Sequence, residues 1–276
     1  MALDRWIMTN EQKSRIYERF EDDRDFFVRV HESFTIEEKI VLACRILAEE
    51  GHSEQLAGQI TVRSEKEPDL FLTPGIGRTF GELTAEDICL IDSDLKVIEG
   101  DHQLNPALRF HMWLYRARPD VRCLVHTHPP YAAALSMVGR PLRVAHMDTA
   151  MFHDDCAYLA EWPGVPFSDE EGRIISEAMG QKRSILLAHH GILTAGVSVE
   201  EATYLAVFME RAARLQVMAE SVGTIRDVPD KCAKDAHDFL LKPSVVNATF
   251  NAWARKHQQE VERLAPPSEH GSKVSA

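Results

Sequence analysis

Two short apolar segments of this chain end in histidine, and this repeated ending limits the possible folds more than any other feature. The first segment, RCLVHTH, covers residues 122–128 and stops at two prolines. The second, SILLA, covers residues 184–188 and continues into His189, His190 and Gly191. Short apolar runs bounded by proline or glycine are typical of buried strands. If these two strands are neighbours in one sheet, their histidines meet at the same end of it.

The spacing of His126 and His128 predicts a pair of metal ligands. Side chains along a strand alternate between its two faces, so these imidazoles point the same way and Thr127 points the other way. A catalytic metal typically takes three protein ligands and leaves a position open for water or substrate. The His189-His190 dipeptide offers the third ligand, and we expect Gly191 to allow a sharp turn behind it. Neutral imidazoles suit zinc, iron, nickel or copper, so the ligands alone do not choose the metal.

Helix and strand signals around these segments predict an α/β protein. Thr35 with Glu38 and Ser168 with Glu171 are capping boxes that open helices, and Ser198 with Glu201 opens a long helix to about residue 221. Asn105 is expected to cap a further helix that has Pro106 at its first position. Strands are expected near residues 59–63, 70–72, 87–91, 95–98, 122–128 and 184–188. Because these elements alternate without a strict βαβ rhythm, we expect a three-layer α/β/α fold with a mixed central sheet.

The division of the chain follows from its composition. No linker interrupts residues 34–222, which predicts one domain there. Residues 1–33 are polar and acidic and are predicted to form an N-terminal extension. Residues 223–276 are predicted to form a C-terminal extension with a helix near 244–263 and a disordered tail.

Charge and hydropathy exclude several functional classes. The chain has 31 Lys and Arg against 43 Asp and Glu, a net charge of −12, which argues against a nucleic-acid partner. It has no apolar run of about 18 residues, which argues against a membrane span, and its charged first residues do not resemble a secretory signal. The five cysteines are widely spaced without a CxxC pair. We therefore expect reduced thiols and a cytoplasmic protein.

The two histidine segments also carry a resemblance to a known family. LVHTHPPYAAALS, followed about sixty residues later by ILLAHHGILTAGVSVEEA, resembles the class II aldolase/adducin family over roughly residues 34–222. The resemblance implies an α/β/α fold, a homotetramer with sites near subunit interfaces, and one divalent metal per subunit. It also implies three histidine ligands, which fall on His126, His128 and His190, whereas His189 takes the place of a non-ligand.

Departures from the family pattern limit the chemistry that the resemblance implies. The phosphate-binding turns of its sugar-phosphate aldolases correspond to Gly58-Gln59 and to Thr73-Pro74-Gly75, and their catalytic glutamate corresponds to Ala107. Alanine cannot move a proton, so the aldolase acid–base mechanism does not carry over. These departures argue against a phosphorylated sugar as substrate.

The remaining chemistry is carbon–carbon bond cleavage without a strong base. The non-sugar branch of the family includes decarboxylases, which implies decarboxylation of a carboxylated 2-oxo or hydroxy-aromatic acid, with Zn²⁺ or Fe²⁺ stabilising the enolate. A first alternative is a non-haem Fe(II) oxygenase that oxidatively decarboxylates an arylpyruvate, such as the prenylated 4-hydroxyphenylpyruvate of aminocoumarin biosynthesis. A second is a non-catalytic adducin-like interaction protein, for which no bound metal is expected.

Six further residues are candidates for the site around the metal. We expect Tyr131, three residues after His128, to donate a proton to the product, and His111 to form a hydrogen bond within the site. The substrate-binding candidates are Gln59 and Thr73 from the two departing turns, Arg78 as a partner for a carboxylate, and His153 from a segment expected to approach the site.

Overall fold

The protein is built on one sheet of eight strands within the part of the chain that the structure describes. This structure is a computed structural model, and it describes residue 15, residues 34–52 and residues 56–257. The strands are β1 (Gln59–Arg63), β2 (Leu70–Pro74), β3 (Ile88–Asp92), β4 (Val97–Glu99), β5 (Cys123–Thr127), β6 (Cys156–Leu159), β7 (Ser184–Leu187) and β8 (Ile192–Gly196). Their order is β4-β3-β2-β1-β5-β8-β7-β6. Among the strands of the described residues, only β6 and β7 pair in parallel, so the mixed sheet is confirmed.

Helices cover both faces of the sheet and give the predicted three layers. The helices are α1 (Ile36–Glu49), α2 (Leu108–Ala117), α3 (Pro130–Met137), α4 (Asp169–Met179), α5 (Val199–Val222), α6 (Asp230–Leu240) and α7 (Pro243–Ala254). Residues of α1, α3, α5, α6 and α7 share one hydrophobic cluster with the sheet, and residues of α2 and α4 share the other. Among the described residues, no helix combines the length and apolar character needed to cross a bilayer.

Strand β5 shows how the sequence divides its side chains between these two layers. Cys123 and Val125 lie in the α1–α5 cluster, whereas Leu124 lies in the α2–α4 cluster. The same alternation sends His126 towards α2 and Thr127 towards α1. The predicted opposite orientation of His126 and Thr127 therefore holds.

Strand directions decide which residues meet at each end of the sheet. Because β5 is antiparallel to both β1 and β8, its last residues lie beside the first residues of those strands, with His126 opposite Gln59 and Leu193. Strand β7 is antiparallel to β8 and therefore ends at this same place. We call it the histidine end of the sheet: the end of β5, the start of β1, and the turn from β7 to β8.

Several helix boundaries agree with the sequence, and others do not. The capping boxes at Thr35 and Ser168 are both present. Helix α2 begins later than expected, at Leu108, because the Asn105 side chain accepts a hydrogen bond from the Ala107 amide (3.0 Å) in a turn that precedes the helix. Helix α6 was not predicted, since its buried face consists only of Ala233 and Leu240.

The predicted extensions lie largely beyond the described residues. Apart from residue 15, the N-terminal extension at 1–33 is outside them, as are residues 258–276 of the predicted tail. The division into one domain and two extensions stays a prediction.

The first turn of α3 depends on a carboxylate from another helix. Its N-cap is Pro129, which has no side-chain acceptor to offer the free amides of the first turn. The buried Glu210 of α5 supplies one, because its two oxygens accept hydrogen bonds from Tyr131 N (2.9 Å) and Ala132 N (2.8 Å). This contact fixes the direction of the chain immediately after His128.

Replacing Glu210 with alanine is expected to destabilise the protein by about 1–3 kcal/mol, since one buried and one partly buried amide lose their acceptor. Urea unfolding followed by circular dichroism measures the change. Glu210→Gln keeps one acceptor oxygen and should lose less. Equal unfolding midpoints for the alanine variant and the wild type would contradict this role of Glu210.

Candidate metal centre

Three imidazoles converge at the histidine end of the sheet. The ring centroid of His126 lies 4.8 Å from that of His128 and 4.7 Å from that of His190, and the latter two are 4.7 Å apart. One ring nitrogen of each residue lies within 4.8 Å of the other two. Within the described ranges, this is the group of side chains arranged to hold a metal ion. We call these residues the histidine triad.

The hydrogen bonding of His126 leaves a ligand nitrogen free. Its Nδ1 lies 2.7 Å from the carbonyl oxygen of Ile192, which can only accept, so Nδ1 carries the proton. The Nε2 atom of the neutral ring then has a lone pair, and it lies 2.9 Å from Nε2 of His128. Metal-binding histidines in proteins commonly donate their other ring N–H to a backbone carbonyl, and this bond fixes the tautomer.

The triad is held in the protonation state that a cation requires. Burial lowers the pKa of His126 well below its ordinary value, and the neighbouring His190 and His128 lower it further. Burial, with a contribution from His128, lowers the pKa of His190 to about 4, and burial also lowers the pKa of His128. Three neutral imidazoles are a donor set that suits Zn²⁺ or Fe²⁺. The residues present therefore fit a divalent metal.

The left-handed residue of this turn is His189 and not Gly191. We expected Gly191 to allow a sharp turn, but it lies outside the left-handed region, whereas His189 has φ 54°. A Cβ atom on Gly191 would instead collide with the Thr127 carbonyl oxygen and lie 2.5 Å from Cδ2 of His128. Glycine is needed there because the turn before β8 passes close to the Thr127 carbonyl group and the His128 ring.

His189 lies outside the triad. It is exposed, and its amide donates to the Ser136 carbonyl oxygen at 3.4 Å. The geometry therefore favours His190, and not His189, as the third candidate ligand.

Three of the four predicted substrate-binding residues line one cleft. Gln59, Thr73 and Arg78 border a small cleft between the start of β1, the end of β2 and the start of α2. Gln59 lies directly opposite His126 in the sheet, so the cleft adjoins the triad. The Thr73 hydroxyl donates to Ile60 O (2.9 Å). Arg78 is more than half exposed and forms an ion pair with Asp87 (2.9 Å).

His111 lies behind the triad. It is fully buried, and its Nδ1 lies 2.8 Å from the Thr61 hydroxyl. The Phe110 ring contacts both His111 (4.6 Å between centroids) and His126 (5.0 Å) edge-on. Burial lowers the pKa of His111 to about 3, so its ring is neutral. A catalytic role for His111 stays a prediction.

The contacts of two predicted residues, His153 and Tyr131, are with other parts of the described chain. His153 precedes β6, whose first residue, Cys156, pairs with the first residue of β7, at the opposite end of the sheet. There, His153 lies 3.5 Å from Asp230. The Tyr131 ring packs against the α1–α5 cluster and lies 5.5 Å below the Arg214 guanidinium, so its role as a proton donor also stays a prediction.

His52 contacts the triad strand but was not identified from the sequence. It is buried, and its Nδ1 lies 2.8 Å from the Thr127 hydroxyl. From the α1 side of the sheet, this contact holds Thr127, which lies between His126 and His128 in the chain. A single histidine after a helix carries no motif, so only the fold could show it.

Residues 38–217 match the family model described as the class II aldolase and adducin N-terminal domain. This chain belongs to that family. The 3,4-dihydroxyphthalate decarboxylase of Arthrobacter keyseri is 32% identical over 215 residues, which are 73% of this chain and 86% of that protein. The protein named 4-hydroxy-3-prenylphenylpyruvate oxygenase/4-hydroxy-3-prenylbenzoate synthase, from Streptomyces roseochromogenus subsp. oscitans, is 27% identical over 65% of each chain.

A solved structure shows the same fold. The L-fuculose 1-phosphate aldolase from Glaciozyma antarctica PI12 superposes with a TM-score of 0.76 at 26% sequence identity, over 84% of this chain and 92% of the aldolase. The class II aldolase fold that the resemblance implied is thereby confirmed.

Replacing His126, His128 or His190 singly with alanine is expected to reduce bound divalent metal from about one ion per chain to about none, because each loss leaves two ligands. Metal content is measured by plasma mass spectrometry on protein purified without air. His189→Ala, a matched change in the same turn, should keep its metal. Equal loss in His189→Ala would show that the wrong histidine has been assigned.

Proposed function

We propose that this protein is a divalent-metal-dependent lyase that releases CO₂ from a carboxylated 2-oxo acid or hydroxy-aromatic acid. The observation that carries the proposal is the histidine triad, which adjoins the cleft lined by Gln59, Thr73 and Arg78. The similarity to 3,4-dihydroxyphthalate decarboxylase supports the same reaction class.

The residue at position 107 favours decarboxylation over aldol chemistry. Ala107 is buried just before α2, where the resemblance places the catalytic glutamate of the aldolases. Its methyl group can neither take nor give a proton. A reaction that begins with loss of CO₂ needs no base at its first step, and a proton donor is needed only afterwards.

The chain's own residues would bind and orient the acid. The Arg78 side chain is more than half exposed, and its Nε atom forms the ion pair with Asp87. The terminal NH₂ groups of the guanidinium can therefore bind a substrate carboxylate bidentately. Gln59 forms the wall between that position and the triad. A divalent ion, Zn²⁺ or Fe²⁺, would supply a Lewis acid for the negative charge that develops on a substrate oxygen.

An Fe(II) oxygenase acting on an arylpyruvate is the second candidate. The similarity to the prenylphenylpyruvate oxygenase favours it, and three imidazoles accept Fe²⁺ as well as Zn²⁺. An adducin-like interaction protein would not need the triad, so a metal-free preparation with an intact fold would favour that third possibility.

We also propose that the protein is a homotetramer with its interface near the triad. Met137, Val138 and Trp162 are each more than half exposed. Met137 and Val138 follow Ser136, whose carbonyl meets His189, and Trp162 follows β6, whose end meets Ala188. Exposed apolar side chains concentrated at one end of a protein are typical of a subunit contact.

The proposed lyase is expected to release CO₂ from 3,4-dihydroxyphthalate in the absence of oxygen, whereas 4-hydroxyphenylpyruvate is the probe for the oxygenase and should release CO₂ only when oxygen is consumed. Evolved CO₂ and oxygen consumption are measured in parallel on metal-analysed protein, with His189→Ala as the active control and His126→Ala as the inactive one. Oxygen uptake that accompanies CO₂ release from iron-loaded protein would replace the lyase by the oxygenase. Metal retention without turnover of either acid would contradict the proposed substrates.

A further inference from the structure

On the face of the sheet that carries His126, two buried polar side-chain atoms have no hydrogen-bond partner among the described residues. They are Oε1 of Gln59 and Nε2 of His111. Gln59 is 5% exposed and His111 is fully buried. Buried polar atoms are ordinarily paired with protein groups or ordered water, so two unpaired ones in one region call for a ligand-based explanation.

Both atoms belong to the wall that also carries the triad. Gln59 lies opposite His126 and Thr61 lies opposite Leu124, and residues directly opposite each other in antiparallel strands share a face. His111 meets this face from α2 through the Thr61 hydroxyl. The Phe110 ring, edge-on to both His111 and His126, completes the wall.

The hydrogen bonds around Thr61 show which kind of partner His111 lacks. The Tyr115 hydroxyl donates to the Thr61 carbonyl oxygen (2.8 Å), and the Thr61 hydroxyl donates to the Tyr115 oxygen (3.1 Å). With its proton directed to the Tyr115 oxygen, the Thr61 hydroxyl accepts from Nδ1–H of His111 at 2.8 Å. Nε2 of His111 therefore carries a lone pair, so both unpaired atoms are acceptors.

The rest of the cleft leaves the Gln59 acceptor available to a ligand. The Gln59 amide nitrogen donates only a long bond of 3.5 Å to Ala57 O. The Thr73 hydroxyl is already used on Ile60 O. Neither of these two groups donates a hydrogen bond to Gln59 Oε1, and Gln59 lines the cleft.

We infer that Gln59 and His111 form a hydroxyl-recognition site beside the triad, which accepts hydrogen bonds from the free hydroxyl groups of the bound acid. The inference rests on the proposed function in that it places an organic acid in this cleft. A phosphate or carboxylate oxygen would bring another acceptor against these two, whereas a hydroxyl brings a donor. One hydroxyl satisfies Gln59, and a second hydroxyl on the same acid would satisfy His111. The substrate class is therefore a hydroxy acid, and preferentially one with two hydroxyls.

Calorimetric titration with three ring acids tests the hydroxyl site without turnover. The probes are 2-methoxybenzoate, which lacks a hydroxyl proton, salicylate, which has one hydroxyl, and 2,3-dihydroxybenzoate, which has two. Wild-type protein should bind salicylate about tenfold more tightly than 2-methoxybenzoate, and 2,3-dihydroxybenzoate more tightly still. Equal binding of the three acids, or no binding of any, would overturn the inference.

Variants separate the hydroxyl site from chelation of the metal by the same acids. Gln59→Leu should retain the wild-type metal content, so any preference for salicylate that comes from chelation of the metal persists in this variant. The part of the preference for salicylate over 2-methoxybenzoate that comes from Gln59 should fall about tenfold. Gln59→Glu, which keeps an acceptor, should retain the preference at lower overall affinity because its charge repels the acid. Gln181→Leu makes the same change at an exposed position and should match the wild type.

The remaining outcomes distinguish this inference from the proposed function. His111→Leu should remove only the added preference for 2,3-dihydroxybenzoate, with its fold checked by circular dichroism. An unchanged salicylate preference in metal-loaded Gln59→Leu would overturn the hydroxyl site even if CO₂ release were observed. Loss of that preference without any CO₂ release by the wild type would count against the lyase alone.

Discussion

The hydrogen bond between His126 Nδ1 and the Ile192 carbonyl oxygen is the contact on which the site depends. It is 2.7 Å long and buried, and it joins the last part of β5 to the first residue of β8. It fixes the His126 tautomer so that Nε2 faces His128. Since β8 follows directly from the turn that carries His190, the same bond also fixes the distance between the two histidine segments.

Each layer of the fold supports this arrangement from its own side. From the α1 layer, His52 holds the Thr127 hydroxyl, and Glu210 holds the first turn of α3 immediately beyond His128. From the α2 layer, Phe110 packs against His126. The result is a set of neutral imidazoles, buried in His126 and half-buried in His128 and His190, whose position is set by backbone and packing rather than by charge, with a cleft beside them.

The local part of the site was predictable from the sequence, and the long-range part was not. The orientation of His126 and His128 follows from the period of a strand, and the capping boxes at Thr35 and Ser168 follow from the needs of free helix amides. The position of His153 depends on β6 being parallel to β7, which local patterns do not reveal. The role of Gly191 depends on the close approach of the His128 ring, and the unpaired Gln59 oxygen depends on strand register.

A crystal structure of the protein purified with its metal, with anomalous scattering recorded at the absorption edge of that metal, tests the central claim most directly. The account predicts one anomalous peak per chain at about 2.0–2.1 Å from a ring nitrogen of each of His126, His128 and His190, and that nitrogen is Nε2 in His126. A peak that contacts His189, a peak at another place, or a fully loaded protein without a peak at the triad would contradict it.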